Sequence, residues 1–250
     1  RLSEACGDGR LELLTRASRA FTARAGNHFE EALRFLDEAI DVAARREPAR
    51  RHSLRHYRGS LLVHLGRLDE GRAELLRSLD WLRALDSPAE CSSVWMVLAT
   101  AHALGGDLDE ACACAREGLS AAERAHHEEQ TQMLRSQLAF VHQLRGELDV
   151  ATRHWEALPD PPAMPLFRCE WAARRLALAV ATDTDGATLA DILATTADGL
   201  AGVRDAQHYR ALGQALASRR GPPPLERPSA DVRLLSRLVS MLAQGASGPP

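Results

Sequence analysis

The 250-residue sequence has no lysine among its 31 basic residues, one asparagine, two isoleucines and only 4% aromatic residues. We attribute this bias to a GC-rich genome, and it carries no functional signal by itself. No apolar run reaches the length of a membrane-spanning helix, and the opening Arg1-Leu2-Ser3-Glu4-Ala5-Cys6 has no signal-peptide core. A dominant charge is missing too. A net charge of −3 and a pI near 6.4 exclude a chain whose whole surface is a nucleic-acid footprint, because phosphate binding needs a concentrated positive face. The five cysteines form no regular framework and point to reduced thiols in a cytoplasmic protein. The absence of an initiating methionine points to an N-terminus that is processed, trimmed or continued by further residues.

The usual catalytic arrangements are also missing. There is no glycine-rich phosphate loop, no nucleophile elbow and no helical pair of histidines flanking a glutamate. Cys112 and Cys114 stand two apart on an expected helix and so point to different sides. His52 and His56 could share a metal but have no third ligand at a recognisable spacing. His126-His127-Glu128-Glu129 reads as an exposed loop. These observations imply no metal, no cofactor and no enzyme.

What the chain does have is a repeat. Small residues within apolar helical patterns recur at Ala20, Gly59, Ala99, Ala139, Ala179 and Gly213, at intervals of 39, 40, 40, 40 and 34 residues. Leucine precedes the last four. Seven residues after the first five come Asn27, Gly66, Gly106, Gly146 and Gly186, where a positive φ can end a helix. Leu68-Asp69, Leu108-Asp109 and Leu148-Asp149 follow, with Phe29-Glu30 in the first copy. The acidic residue is placed to accept from the free amides of the next helix. Ala32, Gly71, Ala111 and Ala151 then allow two helices to approach closely.

These signals predict first helices near 11–25, 51–65, 89–104, 129–145, 166–182 and 204–219. Second helices fall near 29–46, 69–85, 109–126, 149–158, 187–201 and 229–243. The fold expected is all-α, an α-solenoid of about six antiparallel pairs over 11–243 with a repeat of about 40 residues. An extension (1–10), weak proline-rich breaks at 159–165 and 221–228, and a mobile tail (244–250) complete it. The apolar stripe Val232, Leu235, Leu238, Val239 and Leu242 either covers the last pair or makes 231–243 a homodimer contact.

Trp95, Leu98-Ala99, His102, Gly106, Leu108 and Ala111 resemble the tetratricopeptide repeat. The fourth copy matches without its leading aromatic, and the others are degenerate. In repeat style the chain is similar to the sensor portions of bacterial transcription regulators, including the maltose-activator and antibiotic-regulator types. The resemblance implies a right-handed solenoid whose first helices line a concave groove. Carried over residue by residue, it assigns to that groove His56, Ser60, Val63 and His64, then Met96, Thr100 and Leu104. Met133, Ser136, Phe140, Gln143, Leu176 and Val180 complete the set.

Such a groove suits a peptide, a protein segment or a small hydrophobic effector. The function expected is therefore non-catalytic binding in bacterial regulation. The alternatives are an accessory protein or enzyme of a biosynthetic pathway, with a pocket in the same groove, or a homodimeric scaffold. Arg45, Arg46, Arg50, Arg51, Arg55 and Arg58 form a basic run that is either neutralised by neighbouring carboxylates or docks an acidic partner or nucleic acid. His102 and His142 share one repeat position and read as interhelical packing or a pH-dependent contact.

Overall fold

The computed structural model describes residues 9–46, 48–158, 162–200 and 202–246. The expected extension over 1–8, the prolines at 159–161 and the tail beyond 246 lie outside the described residues, as do the side chains of Arg46 and Arg50. The described residues form twelve helices. In chain order they are α1 (Gly9–Ala25), α2 (Phe29–Arg46), α3 (Pro48–His64), α4 (Leu68–Ala84), α5 (Pro88–Gly105) and α6 (Leu108–Arg124). There follow α7 (Glu128–Leu144), α8 (Leu148–Glu156), α9 (Pro165–Ala181), α10 (Ala187–Asp198), α11 (Arg204–Ala217) and α12 (Ala230–Ala246). Helices pack on their sequence neighbours, and odd-numbered helices from α3 to α11 also pack on one another, which is the arrangement of an α-solenoid.

The repeat pattern sets the pair geometry. Gly66, Gly106 and Gly146 take φ of 80°, 91° and 76° and end α3, α5 and α7. Asn27 does the same for α1 at φ 57°. Within the second pair, Gly59 and Gly71 let the backbones touch: a Cβ on Gly71 would lie 2.8 Å from Val63 Cγ2 and 3.1 Å from the Gly59 carbonyl. Ala99, Ala111, Ala139 and Ala151 are fully buried at the equivalent contacts.

Three local expectations are corrected. Gly186 does not end α9. Asp183 takes the left-handed conformation there, while Gly186 sits at φ −112° as the residue before α10. Asp69, Asp109 and Asp149 are not caps but stand inside the first turn, after cap residues Arg67, Asp107 and Glu147 that make no side-chain cap bond. Their negative charge acts on the helix dipole instead. In the supposed loop at 126–129, only His126 and His127 form the turn. His127 Nδ1 accepts from the Gln130 amide at 3.4 Å, and Glu128 and Glu129 already belong to α7.

The proline-rich segment 221–228 does more than separate two helices. It runs back toward the start of the solenoid, so that Arg227 meets His28 and α12 lies against α5, α9 and α11. Val232, Leu235, Leu238 and Val239 are buried inside the chain by this path, and Leu242 is partly buried with them. Arg233 and Arg237 donate to the carbonyls of Val63 (2.7 Å) and Leu104 (2.6 Å), tying α12 to the C-terminal ends of α3 and α5.

Candidate functional site

All six first helices converge on one cavity of about 350 Å³. Phe21 and Arg24 come from α1, Ser60, Val63 and His64 from α3, Met96, Val97 and Thr100 from α5, and Met133 and Gln137 from α7. Leu166, Glu170 and Arg174 come from α9 and Asp205 and Tyr209 from α11 or its start, while Ser229, Ala230 and Asp231 of the α12 N-terminus close one side. Asn27 and Phe29 complete the wall. The volume is at the low end for ligand pockets.

The walls are apolar, but the floor carries charge. Arg174 is 2% exposed, with Nη2 2.5 Å from Glu170 Oε1 and 3.3 Å from Asp231 Oδ1, and its guanidinium lies 4.5 Å over the Phe140 ring. Burial, with Asp231 and Asp205 nearby, pushes the Glu170 carboxyl up to about 7, against the pull of Arg174. Burial and the same carboxylates raise Tyr209 well above the usual phenol range. At Asp205 burial opposes ionisation, but the polar groups of His208 (Nδ1 at 3.6 Å), Asn27 and Ser229 outweigh it and hold the carboxylate low.

Two buried polar groups of the lining residues lack a protein partner. Gln137 donates through Nε2 to the Met96 carbonyl (2.9 Å) and Thr100 Oγ1 (2.8 Å), which leaves its Oε1 unpaired. Arg174 Nε is unpaired as well. Each such group costs stability on the order of 1–3 kcal/mol unless something satisfies it. His64 is held neutral: burial first, then Arg24 and Arg233, depress it to about 3 against the opposing pull of Asp205. Its Nδ1 accepts from the Ala230 amide at 3.0 Å, and its ring stacks on Phe29 at 4.7 Å.

Of the groove positions drawn from the resemblance, Ser60, Val63, His64, Met96, Thr100 and Met133 line the cavity. The others do not. His56 stacks on Tyr57, where burial and Arg24 lower it to about 4. Leu104 is buried beneath α12 and Ser136 is fully enclosed. Phe140 supports Arg174 from below, and Gln143 is spent on the Arg174 carbonyl (3.0 Å) and Trp155 Nε1 (3.1 Å). Leu176 fills the space left by Gly186, and Val180 packs partly buried near Leu242.

The charged floor escaped the sequence reading. Its signal was Glu170, the one acidic residue of α9, four positions before Arg174, a spacing that pairs opposite charges.

Elsewhere the candidate groups are dispersed. In the basic run Arg58 bonds Asp37 at 2.7 Å, and Arg55 and Arg58 lie 3.8 and 3.6 Å from Glu74, while Arg45 and Arg51 are exposed. His102 and His142 sit in the last helical turns of α5 and α7, each facing the carboxylate five residues on, at 3.7 Å (Asp107) and 2.6 Å (Glu147), and His142 stacks on His154 of α8. Cys112 and Cys114 are both buried, and burial raises the Cys114 thiol to about 11. Among the described residues, no three His, Cys, Asp or Glu side chains are placed to hold a metal, and no helix is long and apolar enough to cross a membrane.

No family model matches the chain. No curated protein matches it significantly. Similarity appears among solved structures. The Rap conjugation gene regulator of the plasmid pLS20, in complex with the Phr* peptide, superposes with a TM-score of 0.76 at 14% identity over 98% of this chain. The apo form of RapI (TM-score 0.64, 12% identity, 96% of this chain) and a Rap protein complexed with competence and sporulation factor (0.64, 14%, 93%) share the arrangement. This chain spans about two thirds of the length of each, covering 66%, 64% and 66% of them. The fold is thus that of the helical-repeat Rap solenoids.

Proposed function

We propose that this chain is a non-catalytic binding module that holds a short peptide segment in its central cavity, as part of a cytoplasmic bacterial regulator. The observation that carries the reading is the cavity itself: every first helix contributes to it, and its exposed lining is mostly apolar. A peptide's apolar side chains fit such walls, and its backbone amides and carbonyls pair with the polar groups among the lining. Two of the structurally similar Rap proteins are complexes with Phr* peptide and with competence and sporulation factor, which supports a peptide over other ligands.

The test is selection of a random hexapeptide library on the full chain, with counter-selection on Met96→Trp, which fills the cavity. Enriched sequences should bind the wild type at least thirtyfold more tightly than Met96→Trp. A library that yields no enrichment, or peptides indifferent to the filled cavity, overturns the reading.

A further inference from the structure

The turn that ends α1 differs from those that end α3, α5 and α7. Gly66, Gly106 and Gly146 hold the same left-handed position, and glycine serves that backbone best. The first turn instead carries Asn27, the single asparagine of the sequence. Asparagine tolerates the conformation and adds a carboxamide. Its Nδ2 donates to Asp205 Oδ1 at 2.7 Å and to the Arg227 carbonyl at 3.3 Å, while His28 Nδ1 lies 2.6 Å from Arg227 Nη1. Residues about 200 positions apart thus close the solenoid into a ring.

The closure is polar and local. The main helix-on-helix contacts of α1 and α2 are with each other and with α3. The buried apolar side chains divide in the same way. One cluster runs from Leu13 to Leu62, another from Val63 to Val239, and they meet on α3. The first pair is therefore a small body joined to the rest along one helix and fastened to the far end by the Asn27 clasp. The cavity lies on this seam, with Phe21 and Phe29 on one side and Asp205 and Tyr209 on the other.

We propose that the first helix pair is a gate on the cavity, latched by Asn27 and swinging about α3 to admit and release the ligand. That a ligand passes rests on the preceding section; that the pair swings does not. Opening breaks three hydrogen-bond contacts and leaves both apolar clusters packed. Asp205 is kept ionised by His208, Asn27 and Ser229, so the latch stays charged and engaged at neutral pH.

The test needs no ligand. In the full chain with Cys6→Ser, nitroxides are placed by Glu30→Cys and Gln214→Cys across the seam, or by Glu117→Cys and Gln214→Cys within the larger body. All three sites are exposed, and Cys91, Cys112, Cys114 and Cys169 are buried from the label. Pulsed electron paramagnetic resonance then reads the distances. Asn27→Gly keeps the turn and removes the latch, so the long-distance population across the seam should rise at least threefold while the 117–214 distribution stays unchanged. Asn27→Asp sets a carboxylate against Asp205 and should open the seam further, an effect that salt reverses. Distributions that superimpose on the wild type for both variants overturn the gate, as does lengthening of both pairs together. Either result leaves the peptide reading to its own test.

Discussion

Between α3 and α4 the chain brings two backbones together at paired glycines and seals the contact with Val63 and Leu75. Between the first pair and α11 it relies on one carboxamide, one carboxylate and the strap carrying Arg227. The first kind of junction recurs at intervals near 40 residues and excludes water. The second occurs once and is made of groups that hydrogen-bond equally well to solvent, so its net contribution is about 1 kcal/mol. Stacking fixes the shape of the solenoid, and closure only selects among nearby shapes.

Four experiments bear on this contrast, taken from the largest expected effect to the smallest. Arg174→Met leaves Glu170 largely enclosed without its counter-charge and takes the partner from the half-exposed Asp231, and should lower unfolding free energy by about 3–5 kcal/mol, read by urea denaturation. Glu170→Gln added to it should restore part of the loss; no recovery would show that Arg174 acts through packing on Phe140 instead. Gly71→Leu forces side-chain atoms into Val63 and the Gly59 backbone and should cost about 2–3 kcal/mol.

His64 comes next. Its folded-state value is depressed from 6.5 to about 3, so the stability that goes with its neutral form is fully present above pH 6.5 and is lost as pH falls through that window. Between pH 6.5 and 5 the wild type should lose on the order of 1–2 kcal/mol more than His64→Gln, which keeps an acceptor for the Ala230 amide. Glu170, raised to about 7, works in the opposite sense. Its stabilisation is fully present below about 4.5 and fades as pH rises through 7, but it is common to both proteins and cancels. Last, Asn27→Gly should change global stability by less than about 1 kcal/mol while shifting the seam distances. A large global loss would erase the distinction between stacking and closure.

The sequence carried the stacking almost completely. A small residue followed seven positions later by a left-handed residue is a local signal, and the turns at 66, 106 and 146 follow from it. At the end of α9 the seven-residue interval pointed to Gly186, but the left-handed position falls on Asp183, which leaves Gly186 free to receive Leu176. The cavity was only half legible. Ser60, His64, Met96, Thr100 and Met133 face it because they lie on the inner side of helices the repeat defines. Phe140, Gln143 and Leu104 occupy the same helical side farther along, where Arg174 and α12 cover them. The path of α12 depends on a proline-rich strap with no repeat counterpart, so no periodicity foretold it. Asn27 was visible as a turn residue, yet its partner 178 positions away was not.

The central claim is that the cavity binds peptide, and the four methionines of the chain report on it directly. Met96 and Met133 line the cavity, whereas Met164 and Met241 are exposed outside it. With ¹³C-methyl methionine, titration of a peptide selected on the full chain should shift the Met96 and Met133 resonances and leave Met164 and Met241 in place. Shifts confined to Met164 or Met241, with the two cavity methyls unmoved, would contradict it.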